Sequence, residues 1–281
     1  MSDDSKTAWS ARRGVMLGVQ AGAYLLFAVF GGVWAGLSVS GADAAAKGVA
    51  ALPSGVAPAL IAAMLFVLCC FHANWPFRAT LVDRAIGVIV GLLSVIAVSS
   101  PLMSIYGVSD ADAGDPMKLR TYPMAKWAAA VAGLLVFLTI VSFARQMARE
   151  NRSHLIRALS HCVTGGAASI SLAGWFYLPY VAVAGRAALS GGAAGAGAGS
   201  GVSAVAGAGS VTPNDVGAGV FIGVVVVMAL FAVVLAVASV WWLDELDPDP
   251  KTRSPWVGVA LLPVMFYGLV VFAAALFLQL V

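Results

Sequence analysis

Residues 216–243 read VGAGVFIGVVVVMALFAVVLAVASVWWL and carry no charged side chain. A helix rising about 1.5 Å per residue needs roughly 20 mostly apolar residues to cross a hydrocarbon layer of ~30 Å. This stretch satisfies that requirement with Val, Leu, Ile, Phe and Ala, and it places the chain among integral membrane proteins. Working outward, the charges cut the rest of the chain into further long charge-free runs at 14–42, 48–77, 85–109, 127–144, 158–185, 187–214 and 254–281. The 127–144 run is short, but Met124 and Ala125 lengthen it and Lys126 can snorkel to the interface.

The whole composition agrees. The chain is 61% hydrophobic and 10% charged, with mean hydropathy +0.94, whereas soluble domains carry about a quarter charged residues. A globule of 281 residues could not keep so much apolar surface from water. The net charge of +3 is dispersed, which excludes a basic nucleic-acid surface.

The run at 187–210, AALSGGAAGAGAGSGVSAVAGAGS, reads differently. Twenty-one of its 24 residues are Ala, Gly or Ser. Its glycines penalise a helix, and its apolar area is too small to drive insertion. It is expected to be a flexible extracytoplasmic linker inside a single integral membrane domain spanning 1–281. An eighth span packed through small residues is the alternative.

The basic residues discriminate between these two. With seven spans, eleven Lys and Arg fall on one side: Lys6, Arg12, Arg13, Arg78, Arg84, Arg145, Arg149, Arg152, Arg157, Lys251 and Arg253. Five fall on the other: Lys47, Lys118, Arg120, Lys126 and Arg186. An eighth span would erode this bias to nine against seven. The positive-inside rule then puts the N-terminus in the cytoplasm and the C-terminus outside, in what is expected to be the plasma membrane. Trp9, Trp75, Trp127, Trp241, Trp242, Trp256, Tyr106, Tyr122, Tyr177 and Tyr180 fall near expected helix ends, as an interfacial aromatic belt would. The run from Gly14 to Ser40 is too long for the 7–15-residue core of a cleaved signal.

The expectation is therefore an all-α polytopic bundle of about seven helices. They would cover 15–39, 56–74, 85–107, 124–146, 157–180, 216–242 and 256–281. The short 145–157 connection makes the fourth and fifth helices antiparallel neighbours. Gly14, Gly18, Gly22, Gly32 and Gly36 recur along the first helix at spacings that let two backbones approach. Packing within the chain is the plainer use of that face, and self-association the sharper one. Pro101, Pro179 and Pro263 can end or kink their helices.

Chemistry is sparse. No Asp, Glu, Lys or Arg falls in the expected apolar cores, which argues against a proton-coupled pump. Gln20 is the main strongly polar residue there. Cys69, Cys70 and His72 end the second helix, while His154, His161 and Cys162 begin the fifth, so all fall on one side. Adjacent cysteines do not match familiar zinc spacings, and no metal or cofactor is expected. The fifth helix carries Arg157, His161, Thr164, Ala168 and Ser171 at steps of four and three, hence on one face. Such a face turns toward other helices or a solute path, not toward lipid. Asp110, Asp112 and Asp115 lack the remaining ligands of a calcium loop. Asp244, Glu245, Asp247 and Asp249 form an acidic patch that keeps a loop in water. No hydrolase, metalloprotease or nucleotide motif occurs.

These features suggest no enzyme. They favour a noncatalytic membrane subunit or scaffold whose partners are the lipid bilayer and other membrane subunits or a second copy, with no nucleic acid. Two alternatives remain open. One is a permease for a neutral or apolar solute using Arg157, His161, Thr164 and Ser171. The other is a redox or metal protein using the His/Cys cluster.

Overall fold

A computed structural model describes residues 3–38, 55–75, 81–99, 116–148, 155–197, 217–245 and 254–280. Every regular element among them is helical. Helix α1 (Asp3–Phe27) passes through a π-helical turn, Ala28–Val33, into α2 (Trp34–Ser38). Then come α3 (Val56–Ala73), α4 (Leu81–Ser99) and α5 (Pro116–Met147). Helix α6 (Leu155–Ser171) runs through a 3-10 segment, Leu172–Tyr177, into α7 (Leu178–Gly197). Helices α8 (Ala218–Glu245) and α9 (Pro255–Leu280) complete the bundle.

Seven helical runs are long and apolar enough to cross a membrane: Arg13–Ser38, Val56–Ala73, Leu81–Ser99, Met124–Met147, Ala158–Leu189, Ala218–Trp242 and Pro255–Leu280. The chain is thus a multi-pass, all-α integral membrane protein. Its outward surface is apolar along much of its length. Leu25, Phe66, Ile96, Ile140, Val234 and Trp241 are all exposed on the isolated chain, as lipid contact requires.

The last helix holds the centre. Gly258 to Met265 are buried without interruption, so α9 is enclosed on all sides at that level. It packs against α1, α6, the 3-10 segment and α8. Helix α6 packs against α4 and against α5, its expected antiparallel neighbour. The tightest crossing joins the 3-10 segment to α9. A Cβ added to Gly174 would overlap the Gly268 carbonyl, and one added to Gly268 would overlap the Ser171 carbonyl. Only glycine at both positions lets these backbones touch.

Several expectations need correction. Helix α7 continues to Gly197 and so takes in the first eleven residues of the expected linker 187–210. Alanine is the strongest helix former, and a helix already begun escapes the cost of nucleation. The preceding turns therefore carry the chain past Arg186 until glycine accumulates. The remainder of the linker lies outside the described residues. Arg186, expected in a loop, sits inside the Ala158–Leu189 run. Asp83, expected before the third span, is buried in the first turn of α4.

The glycine face of the first helix divides. Gly14, Gly18 and Gly22 face open space, so among the described residues they pack against no other helix. Gly32 and Gly36 do, lying against Leu178 and Ala182 of α7. The aromatic belt also divides. Trp75 and Trp127 are fully buried in the core, where their large rings fill the bundle, and Tyr177 is buried beside Trp127. Trp241 keeps the expected outward position, 70% exposed. The side chains of Trp9 and Tyr122, and all of Tyr106, lie outside the described residues.

Candidate functional site

Polar side chains inside a membrane must find partners within the protein. Here they fasten one helix to another. Ser94 of α4 donates to the Ile170 carbonyl at 2.8 Å. Trp175 Nε1 donates to the Val264 carbonyl at 2.8 Å, and Tyr267 Oη to the Met228 carbonyl at 2.9 Å. The Ser239 hydroxyl, shared with the Ala236 carbonyl, reaches Gln20 Oε1 of α1 at 3.1 Å.

The described members of the His/Cys cluster take separate partners. His72 is 8% exposed, and its Nε2 lies 3.0 Å from Ser169 Oγ of α6. The Ser169 proton goes to the Gly165 carbonyl at 2.8 Å, so His72 Nε2 is the donor in the pair. That leaves His72 Nδ1 unprotonated and buried, with no hydrogen-bond partner among the described residues. Cys162 Sγ lies 3.2 Å from Ser142 Oγ of α5. Cys69 faces outward and Cys70 is half-buried. His161 is half-buried, and His154 lies outside the described residues. Among the described residues, no three His, Cys, Asp or Glu side chains are grouped to hold a metal ion.

On the fifth-helix face the structure buries the end nearest the 3-10 segment, at Ala168 and Ser171, and leaves His161 and Thr164 half-buried. Ser171 is 2% exposed and returns its hydroxyl to the Ala167 carbonyl at 2.7 Å, while its own carbonyl meets Gly268. Ala168 is fully buried and Thr164 half-buried; the Arg157 side chain lies outside the described residues. The neighbouring Leu172 is also fully buried, so this part of the helix has no lipid face.

Among the described residues a groove of about 1180 Å³ runs between α1, the π turn, α7 and α8. Three aromatic side chains, Tyr24, Trp175 and Tyr267, form its floor. Tyr24 meets Trp175 and Tyr267 edge-on at 5.9 and 5.1 Å, and Phe27 stacks on Trp175 at 4.5 Å. Both irregular helical segments shape it, since Ala28, Gly32 and Val33 of the π turn and Trp175 of the 3-10 segment line the walls. π turns inside α-helices recur at functional sites because they displace a wall by one residue. Tyr24 Oη and Gln20 Nε2 are both closed off from the surface beside the groove. Arg186 stands at the rim, its Nη1 donating to the Gly36 carbonyl at 2.8 Å.

Sequence reasoning missed this groove. Arg186 alone carried a signal, as the single charge between Arg157 and Asp215. Tyr24, Trp175 and Tyr267 had none, because they come from three distant parts of the chain. Comparison with protein-family models, with curated proteins and with solved structures gives no match.

Proposed function

We propose that the protein is a noncatalytic membrane subunit, a scaffold that assembles with other membrane proteins or with itself. The observation that carries this reading is the use of intramembrane polar groups. Ser94, Trp175, Ser239 and Tyr267 are spent on fastening helices together. The filled contact at Ser171 supports a structural role for the fifth helix over a solute path along it. The outward glycine face at Gly14, Gly18 and Gly22 supports association, since it lets a second backbone approach α1 closely. In this reading the protein lies in the plasma membrane with its N-terminus in the cytoplasm and its C-terminus outside, following the basic residues.

The test joins size and transport. In mild detergent the 28.6 kDa chain should purify in an assembly of fixed stoichiometry. Vesicles holding the purified protein should swell in glycerol or urea no faster than empty ones. Swelling above the empty-vesicle rate that Ser171→Leu abolishes would instead establish a permease.

A further inference from the structure

We infer that the groove holds one anionic phospholipid of the surrounding bilayer, its phosphate on Arg186 and one acyl chain lying toward Tyr24 and Trp175. This goes beyond the scaffold reading and does not depend on it.

Position comes first. Gly36, which anchors Arg186, lies two residues before the end of the Arg13–Ser38 span. Arg186 itself lies three residues before the end of the Ala158–Leu189 span. Both place the guanidinium at the membrane boundary, at the depth of headgroup phosphates. The groove then descends along α1 from Gly36 to Ala21. At about 1.5 Å per residue that is roughly 22 Å, more than the ~15 Å depth of one leaflet's hydrocarbon.

Charge comes second. A guanidinium has five N–H donors in a fixed plane. One is given to the Gly36 carbonyl, which orients the group. Among the described residues Arg186 has no acidic partner. A cation in a membrane span is costly unless paired. A phosphate matches the remaining fork geometrically and supplies an opposite charge. Among the described residues no other charged side chain lines the groove, so an anionic headgroup is favoured over a zwitterionic one, whose own cation would crowd Arg186.

Shape comes third. Leu25, Val33, Leu178, Val181 and Phe221 make the walls apolar, and the volume of about 1180 Å³ exceeds the roughly 300–1,000 Å³ of ordinary small-molecule sites, as a long acyl chain requires.

The experiment is native mass spectrometry of the full chain in mild detergent. It would be titrated with phosphatidylglycerol, phosphatidylcholine or inorganic phosphate, with thermal unfolding followed in parallel. One phosphatidylglycerol per chain should be retained, about tenfold more strongly than phosphatidylcholine, as expected for one charge-assisted pair. Arg186→Gln should remove that preference. Ala28→Trp fills the groove from an exposed position and should remove the lipid while leaving unfolding unchanged. Leu25→Trp, also exposed in the groove, replaces it if that variant fails to fold. Retention of the lipid by the tryptophan variants would overturn the proposal, as would equal retention of the two lipids by the parent. Equal stabilisation by inorganic phosphate would make this a free-anion site. A dimer dissolved by Ala28→Trp would make the occupant a second copy.

Discussion

Replacing Gly174 by alanine tests the crossing on which the bundle is built. The new Cβ would fall on the carbonyl of Gly268, a backbone atom that no rotamer change can remove. The 3-10 segment and α9 must therefore separate. A gap of 0.5–1 Å forfeits about a quarter to a half of each dispersion contact across it. The affected contacts include Leu172, Trp175 and Met265, all buried in the core. The same separation stretches the 2.8 Å bond from Trp175 to the Val264 carbonyl, and such a bond contributes about 0.6 kcal/mol in a membrane protein. With an overpacking cost of 1–3 kcal/mol, the expected loss is about 3 kcal/mol. Gly133→Ala, on the exposed side of α5, is the matched control. Among the described residues nothing lies within 4 Å of its Cβ position, so only helix propensity acts, with a gain of about 0.5–1 kcal/mol. Thermal unfolding in one detergent should place Gly174→Ala roughly 10 °C below Gly133→Ala, at about 2–4 °C per kcal/mol. Equal or reversed midpoints would refute the close crossing.

Two further outcomes follow from the packing and the charges. Ser171→Leu should destabilise by about 1–3 kcal/mol in the same assay, because the site is filled by protein and not lipid; Leu172→Ala should cost at least as much, since Leu172 is fully buried too. Midpoints at or above the parent for Ser171→Leu would make that face lipid-exposed. In a cysteine-accessibility scan, a cysteine at position 203 should label from outside the cell and one at position 153 only after permeabilisation. The reverse pattern would invert the proposed orientation.

The sequence by itself determined the class of the fold. Long charge-free apolar runs leave the backbone no option in lipid but to satisfy its own hydrogen bonds, and helices do so within one segment. That rule is local, so 216–243 could be read without knowing its neighbours. On the fifth helix Ala168 and Ser171 are buried, but so is Leu172, so the structure there has no outward side for the helical period to distinguish. Helix ends were less legible, because α7 extends into glycine-rich sequence on the strength of the turns before it. Tertiary structure alone decided which helix sits at the centre. Helices α8 and α9 are both almost uniformly apolar, yet α8 exposes most of its surface while α9 is enclosed. Composition cannot separate them, because lipid and protein interior are both apolar and reward the same residues. The groove was hidden for a related reason. Tyr24, Trp175 and Tyr267 come together beside the crossing where Gly174 and Gly268 allow two backbones to touch, a distance that sequence spacing does not encode.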